Sequence, residues 1–215
     1  TNRTVINDDI IPPLVPMKMK NNDQIKVGNV LFKFLEQGSI EAVAIEQLQK
    51  KTEKDALTAI FNRAALLMKG PEAFKRAKLL KVPLSIAVFD VDHFKKVNDR
   101  YTHLAGDHVL RELASVVQTK LIRLDDFFAR YGGEEFVVIL FGSGLAQALD
   151  IGERLRVTVE GHQFVFEGQK IPVTISVGVV TMLPHMNTWD ELFAQGDVAL
   201  YKSKGAGRNR VSTIE

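Results

Sequence analysis

The chain contains no cysteine, which excludes disulfides, thiolate nucleophiles and cysteine-ligated zinc or iron–sulfur sites. It has no apolar run approaching the ~18–20 residues that a bilayer crossing needs. Its uncharged strand-like stretches are short, of the kind Phe136 to Phe141. It also lacks a dominant sign of charge: 28 Lys and Arg stand against 26 Asp and Glu, a formal net charge of +2. That balance predicts neither a non-specific nucleic-acid binder nor a membrane-surface protein, so any anionic ligand must be met locally. No charged-then-apolar leader follows the opening Thr-Asn-Arg, and the chain reads as a cytoplasmic piece of something longer. There is no Gly-x4-Gly-Lys-Ser/Thr loop, and Gly142-Ser-Gly144 and Gly205-Ala-Gly207 are too short for dinucleotide fingerprints. Internal repeats and low-complexity tracts are absent as well.

What is present is ordinary globular composition, 46% hydrophobic and 25% charged over 215 residues, enough for one mid-sized domain with an appendage. Composition divides the chain in three. Residues 1–37 combine short β-branched runs with the turn formers Asn7-Asp8-Asp9, Pro12-Pro13, Pro16 and Asn21-Asn22-Asp23, which predicts a small β fragment. Residues 38–54 are free of proline and, after Gly38, of glycine. Ser39 is placed to cap a helix running to Lys54, with Ile40, Val43, Ala44 and Leu48 on one stripe. So narrow a stripe packs either on a twin helix or on its own domain.

Residues 55–215 alternate. Strands are predicted at Pro83 to Phe89, Phe127 to Tyr131, Phe136 to Phe141 and Val173 to Thr181. Helices are predicted at Gly106 to Lys120, Gly144 to Val159 and Trp189 to Lys204. Gly132-Gly133 supplies the positive φ of a hairpin turn. The order strand, helix, hairpin, helix, strand, helix predicts an α+β fold with helices covering a sheet.

Two acidic clusters fall at strand ends: Asp90-Val91-Asp92 after Ser85 to Phe89, and Glu134-Glu135 at the glycine hairpin. Like charges held together at adjacent strand ends point either to a divalent cation or to acidic strand ends that serve only solubility. An EF-hand loop is ruled out, because Phe94 and Lys95 stand where an oxygen ligand and glycine are required. Mg²⁺ with a polyphosphate fits, since Mg²⁺ takes one or two carboxylates and fills its shell with water and phosphate oxygens. Lys95 follows the first acidic pair, and Lys204 and Arg208 sit four residues apart around Gly205 and Gly207, cations able to neutralise such a phosphate chain.

Tyr131-Gly132-Gly133-Glu134-Glu135-Phe136 resembles the signature of GGDEF domains, the diguanylate cyclases. The likeness extends through most of residues 55–211. It includes Asp55-Ala-Leu57-Thr58 to Asn62-Arg63, the segment Phe89 to Asp99, then His103 and Gly106-Asp107. Thr174 to Gly178 and Tyr201 to Asn209 follow. The resemblance implies a fold like a polymerase palm that binds one GTP per subunit. Two such sites, meeting in a homodimer, condense two GTP into cyclic di-GMP and release pyrophosphate. A single subunit cannot close the ring, because each GTP supplies one 3′-hydroxyl and one α-phosphate.

Carried over residue by residue, Asp90, the Val91 carbonyl and Glu134 would hold two Mg²⁺ ions, with Mn²⁺ as the alternative. Glu134 or Glu135 would help remove the proton of the attacking hydroxyl. Asn98 and Asp107 would read the guanine edge, with Phe94 and His103 beside them. Lys95, Lys204 and Arg208 would hold phosphates and stabilise the transition state. Arg123-Leu-Asp-Asp126 resembles the family's Arg-x-x-Asp product-inhibition site, which Arg154 or Arg156 would complete from a partner. The competing readings are a catalytically silent module that senses cyclic di-GMP, and a cyclase relaxed toward adenine.

Two departures stand out: Ala59 and Thr102 occupy positions where the family usually has glycine. Threonine at a positive-φ position would be strained by β-branching. The first stretch has its own likeness. Asn2 to Asn7 and Asn22 to Gly28, followed by Val30 to Leu35, resemble the final half of a forkhead-associated domain, a reader of phosphothreonine peptides.

Overall fold

The computed structural model describes residues 4–12, 14, 16–43 and 53–214. The chain forms two compact units, Thr1–Thr52 and Glu53–Glu215.

The first unit is a four-stranded antiparallel sheet of β1 (Thr4–Ile6), β2 (Asp9–Ile10), β3 (Gln24–Val27) and β4 (Val30–Lys33), in the order β2-β1-β3-β4. Its register places Ile6 beside Ile25 and Ile25 beside Phe32, an apolar row on one face. Residues 40–43 are helical, and the Ser39 hydroxyl accepts from the Ala42 N–H at 3.2 Å, as the capping pattern predicts. Residues 44–52 of the expected linker helix, and Asn2-Arg3 of the forkhead-associated likeness, lie outside the described residues. The helix does not reach Lys54 as expected, because Lys54 already pairs with Phe61 in an extended bridge.

The second unit is built on β5 (Leu84–Val91), β6 (Phe127–Gly132), β7 (Glu135–Phe141), β10 (Ile175–Thr181) and β11 (Val211–Ser212), in the order β11-β10-β5-β7-β6. All neighbours run antiparallel except β10 and β11. Every residue of β5 is buried, the expectation for a central strand covered on both faces. Alternation then sorts the side chains. Ala87, Phe89 and Val91 join one core with α2 (Phe94–Tyr101), α3 (His103–Lys120) and α4 (Leu145–Gly161). Ile86 and Val88 join the other with α1 (Arg63–Leu80) and α5 (Trp189–Gly205). The sheet is thus the middle of three layers.

Two helices, a hairpin and the short edge strand β11 were not predicted. α1 runs through Gly70-Pro71, a pair that normally reads as a helix stop. Tertiary packing overrides it, with Leu66, Phe74 and Ala77 buried against the sheet. α2 is only eight residues long and mostly charged, and a short β8–β9 hairpin (Phe164–Phe166, Gln169–Ile171) turns on Glu167-Gly168, both at positive φ.

Both glycine departures fall on positive-φ backbone: Ala59 has φ 59° and Thr102 φ 106° with ψ 159°. The latter conformation is essentially reserved for glycine and costs a side-chain-bearing residue about 1–3 kcal/mol. Thr102 joins α2 to α3. Its N–H caps the Asn98 carbonyl at 2.9 Å, and its hydroxyl accepts from Ala105 at 3.4 Å. Replacing it by glycine forfeits only a few tenths of a kcal/mol of capping and about 0.5–1 kcal/mol of chain entropy. Thr102→Gly should therefore stabilise the chain by about 1 kcal/mol, and Ala59→Gly by less. In urea unfolding the midpoint should rise with an unchanged slope; a midpoint at or below that of the native chain would show that Thr102 is not strained.

Candidate active site

The two acidic clusters meet because of strand register. β5 pairs with β7 so that Phe89 faces Phe136 and Asp90 faces Glu135. The Val91 N–H donates to the Glu134 carbonyl at 3.2 Å. The hairpin turn itself is Gly133-Glu134, with Gly133 at φ 48°. A register shift between Arg130 and Gly132 bends the strand just before it. Arg130 then braces the turn: its Nε donates to the Gly133 carbonyl at 2.9 Å and its Nη1 reaches Asp55 Oδ1 at 3.0 Å. Asp55 also accepts from the Thr58 N–H and hydroxyl at 2.9 and 2.7 Å. Burial raises its carboxyl, but the Thr58 and Arg130 hydrogen bonds outweigh that and hold it below the usual range. The Asp55 to Thr58 block is thereby tied to the glycine hairpin.

Asp90 is buried, 7% exposed, and its Oδ2 lies 2.9 Å from Lys204 Nζ. Burial pushes its carboxyl up to about 6; Lys204 pulls it down, and the charges of Glu134 and Glu135 raise it further. An acid so destabilised as an anion is one that a further cation would stabilise. Among the described residues no three His, Asp or Glu side chains form a metal cage by themselves. Two carboxylates and a carbonyl, completed by phosphate oxygens, is the ordinary donor set for Mg²⁺, and Asp90, Glu134 and Val91 fit it.

The other predicted residues divide. Asn98 on α2 and Asp107 on α3, both half-buried, sit on two helices brought close at Gly106, where a methyl group would overlap the Asn98 side-chain oxygen. His103 and Lys95 are exposed. Phe94 is buried in the core between these helices, 8% exposed, so its ring is committed to packing rather than laid open to a ligand. Lys204 and Arg208 flank the end of α5.

Arg123 to Asp126 form a tight turn at the foot of β6. Asp126 Oδ2 accepts from the Arg123 N–H at 3.0 Å, and the Asp126 N–H donates to the Arg123 carbonyl at 3.2 Å. Burial raises the Asp126 carboxyl, against the pull of Arg123. Beside this turn, a cavity of about 290 Å³ is lined by Asp125, Lys69, Arg76 and Phe127 among others. The two arginines of α4 separate clearly. Arg154 is exposed. Arg156 is engaged by Glu153 at 2.7 Å, Glu160 at 2.6 Å and Asn209 at 3.0 Å.

Sequence reasoning missed Asp197 on α5, whose carboxyl is raised by partial burial and by the charge of Glu135. It also missed Arg130. Neither belongs to an acidic pair or to a glycine-flanked basic motif, and only the packing of α5 and the hairpin bend bring them to the site.

Residues 52–210 match the family model described as diguanylate cyclase, GGDEF domain. Diguanylate cyclase DgcP of Pseudomonas aeruginosa is 39% identical over 167 residues, 78% of this chain and 25% of the relative. Diguanylate cyclase A of Treponema denticola is 38% identical over 179 residues, 81% of this chain and 48% of the relative. The chain thus spans between a quarter and about half the length of these relatives. The coiled coil and GGDEF domain of DgcB from Caulobacter crescentus, solved in complex with c-di-GMP, superposes with a TM-score of 0.75 at 31% identity, covering 80% of this chain and 91% of that one. By sequence over most of its length and by fold, the chain belongs to the GGDEF family of diguanylate cyclases.

Proposed function

We propose that the chain condenses two molecules of GTP into cyclic di-GMP with release of two pyrophosphates, acting as a homodimer. The observation that carries the proposal is the register setting Asp90 against Glu135 and Val91 against Glu134, with Lys204 on the Asp90 carboxylate. Asp90, the Val91 carbonyl and Glu134 would hold the divalent cations, two Mg²⁺ per site or Mn²⁺ in their place. Bound there, the cations would lower the pKa of the 3′-hydroxyl and offset charge on the α-phosphate. Glu134 or Glu135 accepts the hydroxyl proton as oxygen attacks the α-phosphorus and the pyrophosphate oxygen leaves. Lys204, which holds the Asp90 carboxylate at 2.9 Å, would together with Lys95 and Arg208 hold the phosphate chain. Asn98 and Asp107 receive the guanine; a carboxylate accepts from its N1–H and 2-amino group, which adenine does not offer. His103 lies at their rim.

Arg123 and Asp126 form the product-inhibition site, completed by Arg154 of a second subunit. The exposed Arg123 and Arg154, set against the fully engaged Arg156, support this choice. For residues 1–37 the forkhead-associated reading, with a phosphothreonine peptide as partner, rests on the antiparallel sheet and its apolar row. A linker helix over residues 38–54 would set the orientation of two cyclase domains. Among the described residues no helix is long and apolar enough to cross a membrane. We place the chain's action in the cytoplasm, where its substrate is found.

Incubation with GTP and Mg²⁺ and mass spectrometry of the product tests the reading directly. Glu134→Gln should lower turnover by at least ~100-fold, the order seen when one transition-state electrostatic partner is removed; undiminished turnover rejects the assignment. If the native chain binds cyclic di-GMP but makes none, it is a sensor instead. The Asp90 carboxyl must ionise before it takes a cation. Because burial pushes that carboxyl up to about 6, the Mg²⁺ concentration for half-maximal activity should rise about tenfold per pH unit below that value and level off above it. A flat Mg²⁺ requirement between pH 5 and 7.5 would remove Asp90 from the ligand set. Arg123→Ala should weaken product inhibition by ~10-fold or more while leaving initial rates intact, since a charge-assisted pair is lost away from the reacting atoms. Inhibition at the native product concentration would count against that site.

A further inference from the structure

Asp92 lies two residues beyond Asp90 and has no part in the reading above. Its side chain is buried, 6% exposed. Oδ1 accepts from the Ser176 hydroxyl at 2.6 Å, and Oδ2 accepts from the Thr174 hydroxyl at 2.7 Å and from the Asn209 N–H at 3.0 Å. Its own N–H donates to the Thr174 carbonyl at 2.9 Å. A carboxylate offers about four acceptor positions, and three are filled by neutral donors. Asp92 is therefore an anchor, where its neighbour Asp90 is open to a cation.

What it anchors is the loop that follows α5. Gly207, Arg208 and Asn209 have φ of 113°, 65° and 44° in succession. Two residues with side chains in left-handed backbone hold that shape only when their surroundings over-determine it. The surroundings do so here. The Arg208 N–H donates to the Ser203 carbonyl at 3.0 Å. The Asn209 side chain accepts from Arg156 at 3.0 Å and donates to Glu160 at 2.7 Å, and its N–H goes to Asp92. Asp90 meanwhile holds Lys204 at 2.9 Å. Two acids of one strand end thus grip the last turn of α5 at Lys204 and the loop after it at Asn209, on either side of Gly205-Ala-Gly207.

We infer that Asp92 is a positioning residue for phosphate binding: it fixes the Lys204 to Asn209 loop to the end of β5, so that the cations Lys204 and Arg208 are registered to the strand that carries Asp90. The identity of the ligand, a nucleoside triphosphate, rests on the cyclase reading. The anchor itself does not. Asn209 contributes its backbone N–H, which only proline at 209 would remove, at the cost of the loop's positive φ, so the contact is tested from Asp92.

Three measurements on the full chain test this: amide hydrogen exchange of residues 204–210 without ligand, and affinities for a non-hydrolysable GTP analogue and for guanosine. Asp92→Ala should speed exchange across the loop and weaken binding of the GTP analogue at least ~10-fold, the scale of losing a charge-assisted hydrogen bond, while guanosine affinity stays unchanged. Asp92→Asn keeps the shape and weakens the bond to the Asn209 N–H. It should give a smaller change of the same kind and serves if the alanine variant does not fold. Unchanged affinity for the GTP analogue in both variants overturns the inference. An equal loss for guanosine also overturns it, because Asp92 would then support the whole site rather than its phosphate end. If the native chain binds neither nucleotide, the cyclase reading falls and the named ligand with it, while the exchange data still decide whether Asp92 holds the loop.

Discussion

The antiparallel register of β5 and β7 is the constraint on which the site depends. Side chains alternate across a strand, so a slip of one residue would turn Asp90 to the opposite face and replace it with an apolar neighbour. Three aromatic rings resist that slip. Phe89 lies 5.3 Å from Phe136 and 6.0 Å from Phe128, with Phe128 and Phe136 5.9 Å apart. All three are essentially unexposed. Such pairs contribute about 0.5–1.5 kcal/mol each beyond the burial of their area, and the Phe89–Phe136 pair sits one step before Asp90–Glu135.

Having gathered the acids, the fold must also balance them. Asp90, Glu134 and Glu135 repel one another, and burial makes the Asp90 charge harder to keep. Lys204 offsets this from across the sheet edge. The neighbouring Asp92 meets the same problem in another way, through hydroxyl and backbone donors that carry no formal charge. The first arrangement rests on one ammonium, a single partner. The second cannot be exchanged without breaking three bonds at once. Two acids separated by one valine therefore divide into one held by a single charged partner and one fixed by three neutral donors.

The side of the site proposed to receive the base is built differently, from two helices rather than strand ends. α2 and α3 approach closely at Gly106, against the Asn98 side chain and the buried Phe94 ring. Their mutual angle is set at Thr102, whose backbone occupies a conformation that suits glycine. The residue keeps that shape because its N–H, carbonyl and hydroxyl all serve the helix ends, the carbonyl accepting from Gly106 at 3.1 Å. The strain thus lies in the joint between the helices that carry Asn98 and Asp107, and it is held in place by the caps of both.

Much of the fold and of the site was legible in the sequence by itself. The apolar run ending in Asp90 marks a doubly covered strand, Gly132-Gly133 marks the hairpin, and the two acidic clusters mark the point where they meet, because periodicity and positive-φ turns are local properties of the chain. The α1 helix was not legible, since Gly70-Pro71 contradicts it locally and only its packing with Phe74 and Leu66 against the sheet sustains it. Nor could composition separate Asp90 from Asp92, or Arg154 from Arg156. Each pair is chemically alike, and what distinguishes its members is the set of partners that distant segments bring: Lys204 to one acid, Thr174, Ser176 and Asn209 to the other, and Glu153, Glu160 and Asn209 to Arg156. Residue type and spacing fix which groups can do chemistry. Which of them remain free to do it was decided only by the hydrogen bonds that tertiary packing completes.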